Sequence, residues 1–224
     1  MVIAVFGAKG RVGARVSALA KERGHTVWEL DKKTGARRNE KEFVSDEKIH
    51  KNEKSETINE NVDVVIDFSV AEATKEVCEF CKAHRCPLVT GTTGRTPEQQ
   101  TMIEDLKKVV KVTEKANFSK GYQLMEKICQ LLAPLNWDCD VVETHRKGKA
   151  DCPSGTAKQL YKKLLMGGTR TVCVHSLRSG SNFGRHEIVF GTNGESITIV
   201  HQAENVDIFA RGALEEAEAM TMKD

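Results

Sequence analysis

The stretch Val2-Ile3-Ala4-Val5-Phe6-Gly7-Ala8-Lys9-Gly10-Arg11-Val12-Gly13 decides the fold. Its first five residues are apolar and largely β-branched, and glycine follows at once. This predicts a short strand, Val2–Phe6. A helix is expected from Arg11 to Arg23. Strand, glycine turn and helix open a βαβ unit of the nucleotide-binding kind. Its glycines permit a tight turn, close approach of backbone to a pyrophosphate, and close helix packing. The helix start offers unpaired N–H groups and a favourable dipole to phosphate. The spacing is G-x-x-G-x-x-G rather than the commoner G-x-G-x-x-G, so the signal comes from its place after the strand.

Outward from this turn, a second strand is expected at His25–Asp31. An acid at its end suits the ribose hydroxyls of NAD, with Asp31 first and Glu29 second. Lys32 and Lys33 follow, either as a site for the 2′-phosphate of NADP or as solvated loop charges, so both nucleotides are expected. Lys32–Asn61 is rich in Lys, Glu, Asn and Arg and is expected to be an irregular connection with one short strand near Lys48–His50. Order returns with a strand at Val62–Phe68, a helix at Ala71–His84, a strand at Pro87–Thr90, a helix at Pro97–Val109 and a strand just before Glu114. This alternation predicts an α/β, Rossmann-like, doubly wound parallel sheet. Gly91-Thr92-Thr93-Gly94 follows a strand, at the end where such sheets bind ligands.

The pattern then changes. A helix at Tyr122–Leu132, a strand at Trp137–Thr144 and a helix at Ala157–Leu165 precede strands at Thr171–Arg178, His186–Gly191 and Ser196–Gln202. Asn-Gly within Gly191–Glu195 signals a hairpin. Ile208 onward reads as a further strand, and Ala213–Met220 as a short helix. Together these predict an α+β domain with an antiparallel or mixed sheet. The richest chemistry lies in Val142–Ala157, "VETHRKGKADCPSGTA". It holds Glu143, His145, Arg146, Lys147, Lys149 and Asp151 before a Pro-Ser-Gly-Thr helix start. A helix start with cations before it suits a carboxylate, and a His and a Lys four residues apart suit proton transfer. The same residues also describe a basic surface loop with an ordinary Ser or Thr cap.

The chain has 224 residues, 34 basic and 32 acidic side chains, and a net charge of +2. So small an excess gives no general attraction to nucleic acid or an anionic membrane. No apolar run spans a bilayer, and the N-terminal apolar run lacks a basic region before it, so it reads as a strand rather than a signal peptide. Seven cysteines without framework spacing suit reduced thiols in the cytoplasm. Cys78, Cys81, His84 and Cys86 have zinc-ligand types but no second ligand pair, and Cys78 and Cys81 share an apolar helix face. Packed thiols and no metal are expected.

These segments together resemble the dihydrodipicolinate reductase family, now called 4-hydroxy-tetrahydrodipicolinate reductase, of the diaminopimelate–lysine pathway. The likeness rests on GAKGRVG, VVIDFS at Val64–Ser69, GTTG at Gly91–Gly94, ANFSKG at Ala116–Gly121, ETHRKGKADCPSGTA at Glu143–Ala157, HEIVFGTNGESITIVHQA at His186–Ala203 and FARGAL at Phe209–Leu214. The resemblance implies an NADH- or NADPH-dependent reductase. Its pyrophosphate would be held by Gly7, Ala8, Lys9, Gly10, Arg11 and Val12, and its ribose by Asp31. Gly91, Thr92 and Thr93, with Ala116, Asn117, Phe118 and Ser119, would meet the nicotinamide.

His145 matches the family's proton donor/acceptor, and Lys149 its catalytic lysine. Ser154, Gly155 and Thr156 would grip a carboxylate of a small dicarboxylate substrate. The family implies a dinucleotide domain over 1–118, rejoined by a C-terminal helix at about 206–224, and a substrate-binding and oligomerisation domain over 119–205. It also implies domain closure during the reaction and a homotetramer. Two departures stand out. Arg146 takes the place of a second, substrate-binding histidine, and the chain stops at Asp224, where relatives usually carry a further glycine-containing tail. Alternatives are a related reductase of another small carboxylate and a nucleotide-binding homologue without catalysis.

Overall fold

The computed structural model describes residues 1–31 and 61–222. Lys32, Lys33 and the expected strand near Lys48–His50 lie outside the described residues. The chain divides into two compact units, Met1–Lys115 with Phe209–Asp224, and Ala116–Ile208.

The first unit holds β1 (Val2–Phe6), α1 (Arg11–Glu22), β2 (Thr26–Leu30), β3 (Val64–Asp67), α2 (Thr74–His84), β4 (Leu88–Thr90), α3 (Pro97–Lys107) and β5 (Val112–Glu114). Its sheet has the order β2-β1-β3-β4-β5 and every pair is parallel. The chain leaves β1 to one side and returns on the other, so the order reverses between β1 and β3, where open α/β sheets bind ligands. All four residues of β3 are buried, as a strand covered on both faces requires. Its core joins Phe6, Val65, Leu88, Ile103 and Leu106. Truncating a fully buried leucine such as Leu106 to alanine costs about 2–5 kcal/mol. Thr96 and Gln99 close a capping box at α3, with Pro97 in the first turn. Cys78 and Cys81 are buried on α2, whereas His84 is exposed and stacks on Phe80. Among the described residues, no group of His, Cys, Asp or Glu is placed to hold a metal.

The expected strand from Ile208 is instead the first turn of α6 (Asp207–Thr221). Ala210, Ala213, Leu214 and Ala217 fall on one buried helical face, a spacing that outweighs the β-branched Val206 and Ile208. Asn205 Oδ1 accepts the Asp207 N–H at 3.0 Å, anchoring the helix start. Glu218 of α6 takes Arg23 at 2.7 Å and His25 at 3.0 Å.

The second unit contains α4 (Lys120–Leu132), β6 (Asp138–His145), α5 (Gly155–Met166), β7 (Val172–Arg178), β8 (Arg185–Thr192) and β9 (Glu195–Gln202). The sheet order is β7-β6-β8-β9. β6 and β7 are parallel because α5 crosses between them, and the remaining pairs are antiparallel. β8 and β9 form the expected hairpin, with Gly194 at φ +91° in its turn. One sheet face packs Cys139, Val141, Ile188 and Phe190 against Tyr122, Met125, Leu160 and Leu164 of α4 and α5. Further along the same face, the inward row turns polar: Glu143 and His145 on β6, Arg178 on β7, His186 on β8 and His201 on β9. Among the described residues, no helix is long and apolar enough to cross a membrane.

Candidate functional site

In the first unit, Gly7 has φ +75°, and a Cβ there would lie 2.5 Å from the Phe68 carbonyl oxygen. A Cβ at Gly13 would lie 2.1 Å from the Gly7 carbonyl oxygen. These two glycines are therefore fixed by close backbone packing. Gly10 differs: it is exposed, caps α1 without a side-chain bond, and no acid follows in the first turn. The start of α1 thus offers amides and dipole to an anion. Lys9 and Arg11 are exposed, Val12 is half-buried and Ala8 is buried. Asp31 follows β2, and its Oδ2 accepts the Lys9 N–H at 2.7 Å, tying the acid to the glycine turn. Glu29 instead pairs with Lys21 at 2.7 Å.

After β4, a Cβ at Gly91 would meet the Phe68 ring at 2.3 Å. Thr93 is exposed, and Thr92 Oγ1 is buried without a hydrogen-bond partner among the described residues. An uncapped helix, an exposed glycine and an orphaned hydroxyl fit a dinucleotide. Arg95, which sequence reasoning missed, holds this loop by donating to the Thr92 carbonyl at 2.6 Å and to Thr90 Oγ1 at 2.7 Å. Ala116, Asn117, Phe118 and Ser119 belong to the second unit. Asn117 Oδ1 accepts the Ser119 N–H at 2.9 Å, Phe118 is buried, and Ser119 Oγ caps α4 through the Tyr122 N–H at 3.2 Å. Ser119 Oγ also lies 3.0 Å from His201 Nε2.

The polar end of the second sheet centres on Glu143, which is 0% exposed. Its Oε2 binds His145 Nδ1 in a short contact. Its Oε1 accepts from Arg178 Nη2 at 2.7 Å and from the Ser154 N–H at 3.2 Å. Burial alone would raise the Glu143 carboxyl, but Arg178 and His145 overcome it and hold the pKa at about 2. Burial pulls His145 below the ordinary imidazole range, and Glu143 opposes that fall. His186 lies edge-on to His145, with ring centroids 5.4 Å apart. Burial lowers its pKa to about 3, so it stays neutral at physiological pH.

Lys149 Nζ lies 2.6 Å from Asp151 Oδ1, and Asp151 Oδ2 accepts the Gly155 N–H at 3.1 Å. Burial would raise the Asp151 carboxyl, but Lys149 holds it below the usual range. The Asp151 carboxylate therefore occupies both a cation and a helix-start amide that an external carboxylate would use. Ser154 Oγ caps α5 through the Ala157 N–H at 3.1 Å. Thr156 carries the one amide of that first turn with no acceptor among the described residues. Arg146 is half-buried, and its guanidinium lies over Gly148, where a Cβ would meet Nη1 at 2.8 Å.

The structure thus brings His145, Ser154 and Gly155 around one acidic network, with Lys149 bound through Asp151. Glu143 and Asp151 stood in the quoted stretch without an assigned role, and Arg178, His186 and His201 were missed. The signal that could have found Arg178 is alternation along β7: Val172, Val174, Ser176 and Arg178 share the inward row.

Two family models match the chain: "Dihydrodipicolinate reductase, N-terminus" over residues 1–118 and "Dihydrodipicolinate reductase, C-terminus" over residues 121–224. The chain is 35% identical over 240 residues to 4-hydroxy-tetrahydrodipicolinate reductase of Clostridium perfringens strain SM101, covering 97% of this chain and 91% of that one. To the Natronomonas pharaonis enzyme of the same name it is 32% identical over 237 residues, covering 97% and 94%. Among solved structures, dipicolinate-bound dihydrodipicolinate reductase from Paenisporosarcina sp. TG-14 superposes with a TM-score of 0.72 at 21% identity, covering 99% of this chain and 96% of that one. With the two domain models matching residues 1–118 and 121–224 and relatives above 30% identity along nearly the whole chain, the protein belongs to the dihydrodipicolinate reductase family.

Proposed function

We propose that this protein is a 4-hydroxy-tetrahydrodipicolinate reductase. It reduces the cyclic imine dianion derived from that compound to tetrahydrodipicolinate, a step towards diaminopimelate and lysine, using NADH or NADPH. The observation that carries the reading is the cluster of His145, Lys149 and the start of α5 on the second sheet, in a chain whose first unit carries a glycine turn fitted to a dinucleotide.

In this reading the backbone from Gly7 to Val12 holds the pyrophosphate, Asp31 the ribose, and Gly91, Thr92 and Thr93 the nicotinamide end. Bound NADH or NADPH supplies the hydride. Lys149, Thr156 and the Gly155 backbone hold the substrate carboxylates, with Asp151 giving up its contacts to Lys149 and Gly155 and with Ser154 capping the helix start beside them. Arg146 adds a second cation for a carboxylate, since its guanidinium has no ion pair among the described residues. His145 gives a proton from Nε2, because Nδ1 is committed to Glu143. Lys149 balances the charge that develops at the substrate ring nitrogen.

A homotetramer built on the second sheet is supported by the outer face of that sheet, where Leu177 is 51% and Val200 48% exposed. A cytoplasmic location is supported by seven cysteines, all unpaired. The test is oxidation of NADH and NADPH, followed by absorbance, with and without freshly generated substrate. Substrate-dependent oxidation supports the reading. Tight nucleotide binding without turnover on the imine would refute it.

A further inference from the structure

The buried acid Glu143 makes three contacts that point in different functional directions. One carboxylate oxygen binds His145 Nδ1. The other accepts from Arg178 Nη2 at 2.7 Å and from the Ser154 N–H at 3.2 Å. Arg178 also donates to the Asp151 carbonyl at 2.6 Å, in the loop that carries Lys149. A carboxylate with no exposure needs such partners, because an unpaired buried charge is strongly disfavoured. A structural salt bridge would be complete with Arg178 alone. Here the acid also engages an imidazole and the residue that caps α5.

We propose that Glu143 is a positioning residue for the reaction and Arg178 its anchor. Glu143 fixes the proton of neutral His145 on Nδ1, leaves Nε2 for the substrate, and ties that ring to the helix start that receives the substrate carboxylate. The inference rests on His145 being the proton donor. It adds how that donor is oriented and why its place is linked to the anion-binding helix.

The charge balance around His145 gives the pH consequence. Glu143 faces it from its own strand, Arg178 from β7, His186 from β8, and Lys149 from the following loop. His186 is neutral, and Lys149 and Arg178 both disfavour a second positive charge. Glu143 is therefore the one group in this set that favours the imidazolium. Its removal lowers the His145 pKa. A donor must be protonated, so turnover falls as pH rises through that pKa, and in Glu143→Gln this fall moves to lower pH.

The experiment combines nitrogen-15 NMR of the histidines in the parent with a double-mutant cycle over Glu143→Gln, His145→Asn and the pair, read as kcat against pH. In the parent, neutral His145 is expected to carry its proton on Nδ1. Glu143→Gln is expected to lower kcat about thirtyfold, less than the roughly hundredfold or more that removing a positioned acid or base itself costs, because the donor ring is still present. The loss is expected to vanish when His145 is already Asn, since the carboxylate acts through that ring. Dipicolinate and NADH binding to Glu143→Gln, measured by calorimetry, verify that the variant is folded. Should it fail to fold, the parent NMR spectrum alone decides, because a proton found on Nε2 of neutral His145 overturns the proposal. An equal loss from Glu143→Gln with and without His145 also overturns it, while leaving His145 as the donor. Parental turnover in His145→Asn overturns both this inference and the reading beneath it.

Discussion

Each unit buries an acid against an arginine at the end of its sheet, and the two pairs are built differently. In the first unit, Asp67 is 1% exposed and its Oδ2 lies 3.3 Å from Arg95 Nη2. Arg95 also reaches Glu114 at 3.1 Å, Thr74 Oγ1 at 3.1 Å, Thr90 Oγ1 and the Thr92 carbonyl. Asp67 takes further bonds from Thr90 Oγ1 at 2.7 Å and from the Ser69 N–H at 2.9 Å. This set contains no imidazole, and the network closes on itself around the loops after β3 and β4. In the second unit, Glu143 and Arg178 leave the set open. One carboxylate oxygen is given to His145, and Arg178 Nε has no partner among the described residues. The same pair of residue types thus serves as scaffold where it is saturated, and as a support for proton chemistry where it reaches a titratable ring.

The largest effect that would break this comparison is on stability. Arg95→Met leaves Asp67 buried without its cation and is expected to cost about 3–5 kcal/mol. Denaturant unfolding measures this, and a loss below about 1 kcal/mol would mean that the first network is not closed. The opposite behaviour is expected for the open network. His145→Ala and Lys149→Ala should each lower turnover at least about a hundredfold, with NADH affinity held near the parent. A matching loss of NADH binding would show that these residues serve the fold instead.

Two smaller effects sharpen how each unit handles its anion. Asp31→Ala should weaken NADH about tenfold and NADPH less, because the contact at stake is to a ribose hydroxyl. Equal losses in titrations with both nucleotides would remove Asp31 from the ribose and leave it a structural part, as in its bond to the Lys9 amide. Arg146→Ala should raise substrate KM about fivefold, the scale of a partly exposed ion pair, with kcat little changed. Arg146→His should recover affinity only at pH low enough to charge the imidazole. KM measured from pH 6 to 9 checks both variants, and an unchanged KM in the alanine variant removes Arg146 from the anion site.

The parts of the molecule legible in the sequence are those set by local pattern. Val62–Phe68 reads as a doubly covered strand because Val64, Val65 and Ile66 stand in a row at its centre, and the observed strand, Val64–Asp67, is buried throughout. The glycine turn is legible because backbone must approach backbone at Gly7 and Gly13. Asn193-Gly194 gives the hairpin for a different reason: Gly194 stands in open space at φ +91°, the left-handed backbone that such a turn needs. The two arginines were not legible. Arg95 sits in a Gly-Arg-Thr-Pro turn and Arg178 ends an alternating strand, and both look like solvated charges. Their acids lie far away in sequence, at Asp67 and Glu143, and meet them only through parallel strand pairing. Ile208 misled for the reverse reason: its local β-propensity was real, but the helical face from Ala210 to Ala217 governs the segment. The committed amide of Gly155 was also hidden, because nothing local shows that Asp151 would fold back onto it.

The central claim is that the first unit binds a nicotinamide nucleotide whose hydride goes to an imine held by the second. It is tested most directly with NADH carrying deuterium at both C4 positions and freshly generated substrate. Mass spectrometry of the product follows, for the parent and for His145→Ala. The account predicts one deuterium per product molecule in the parent, formed in step with NADH oxidation, and the same labelled product at a much lower rate in the variant. Unlabelled product, or NADH oxidised without any gain of deuterium in the product, would contradict it.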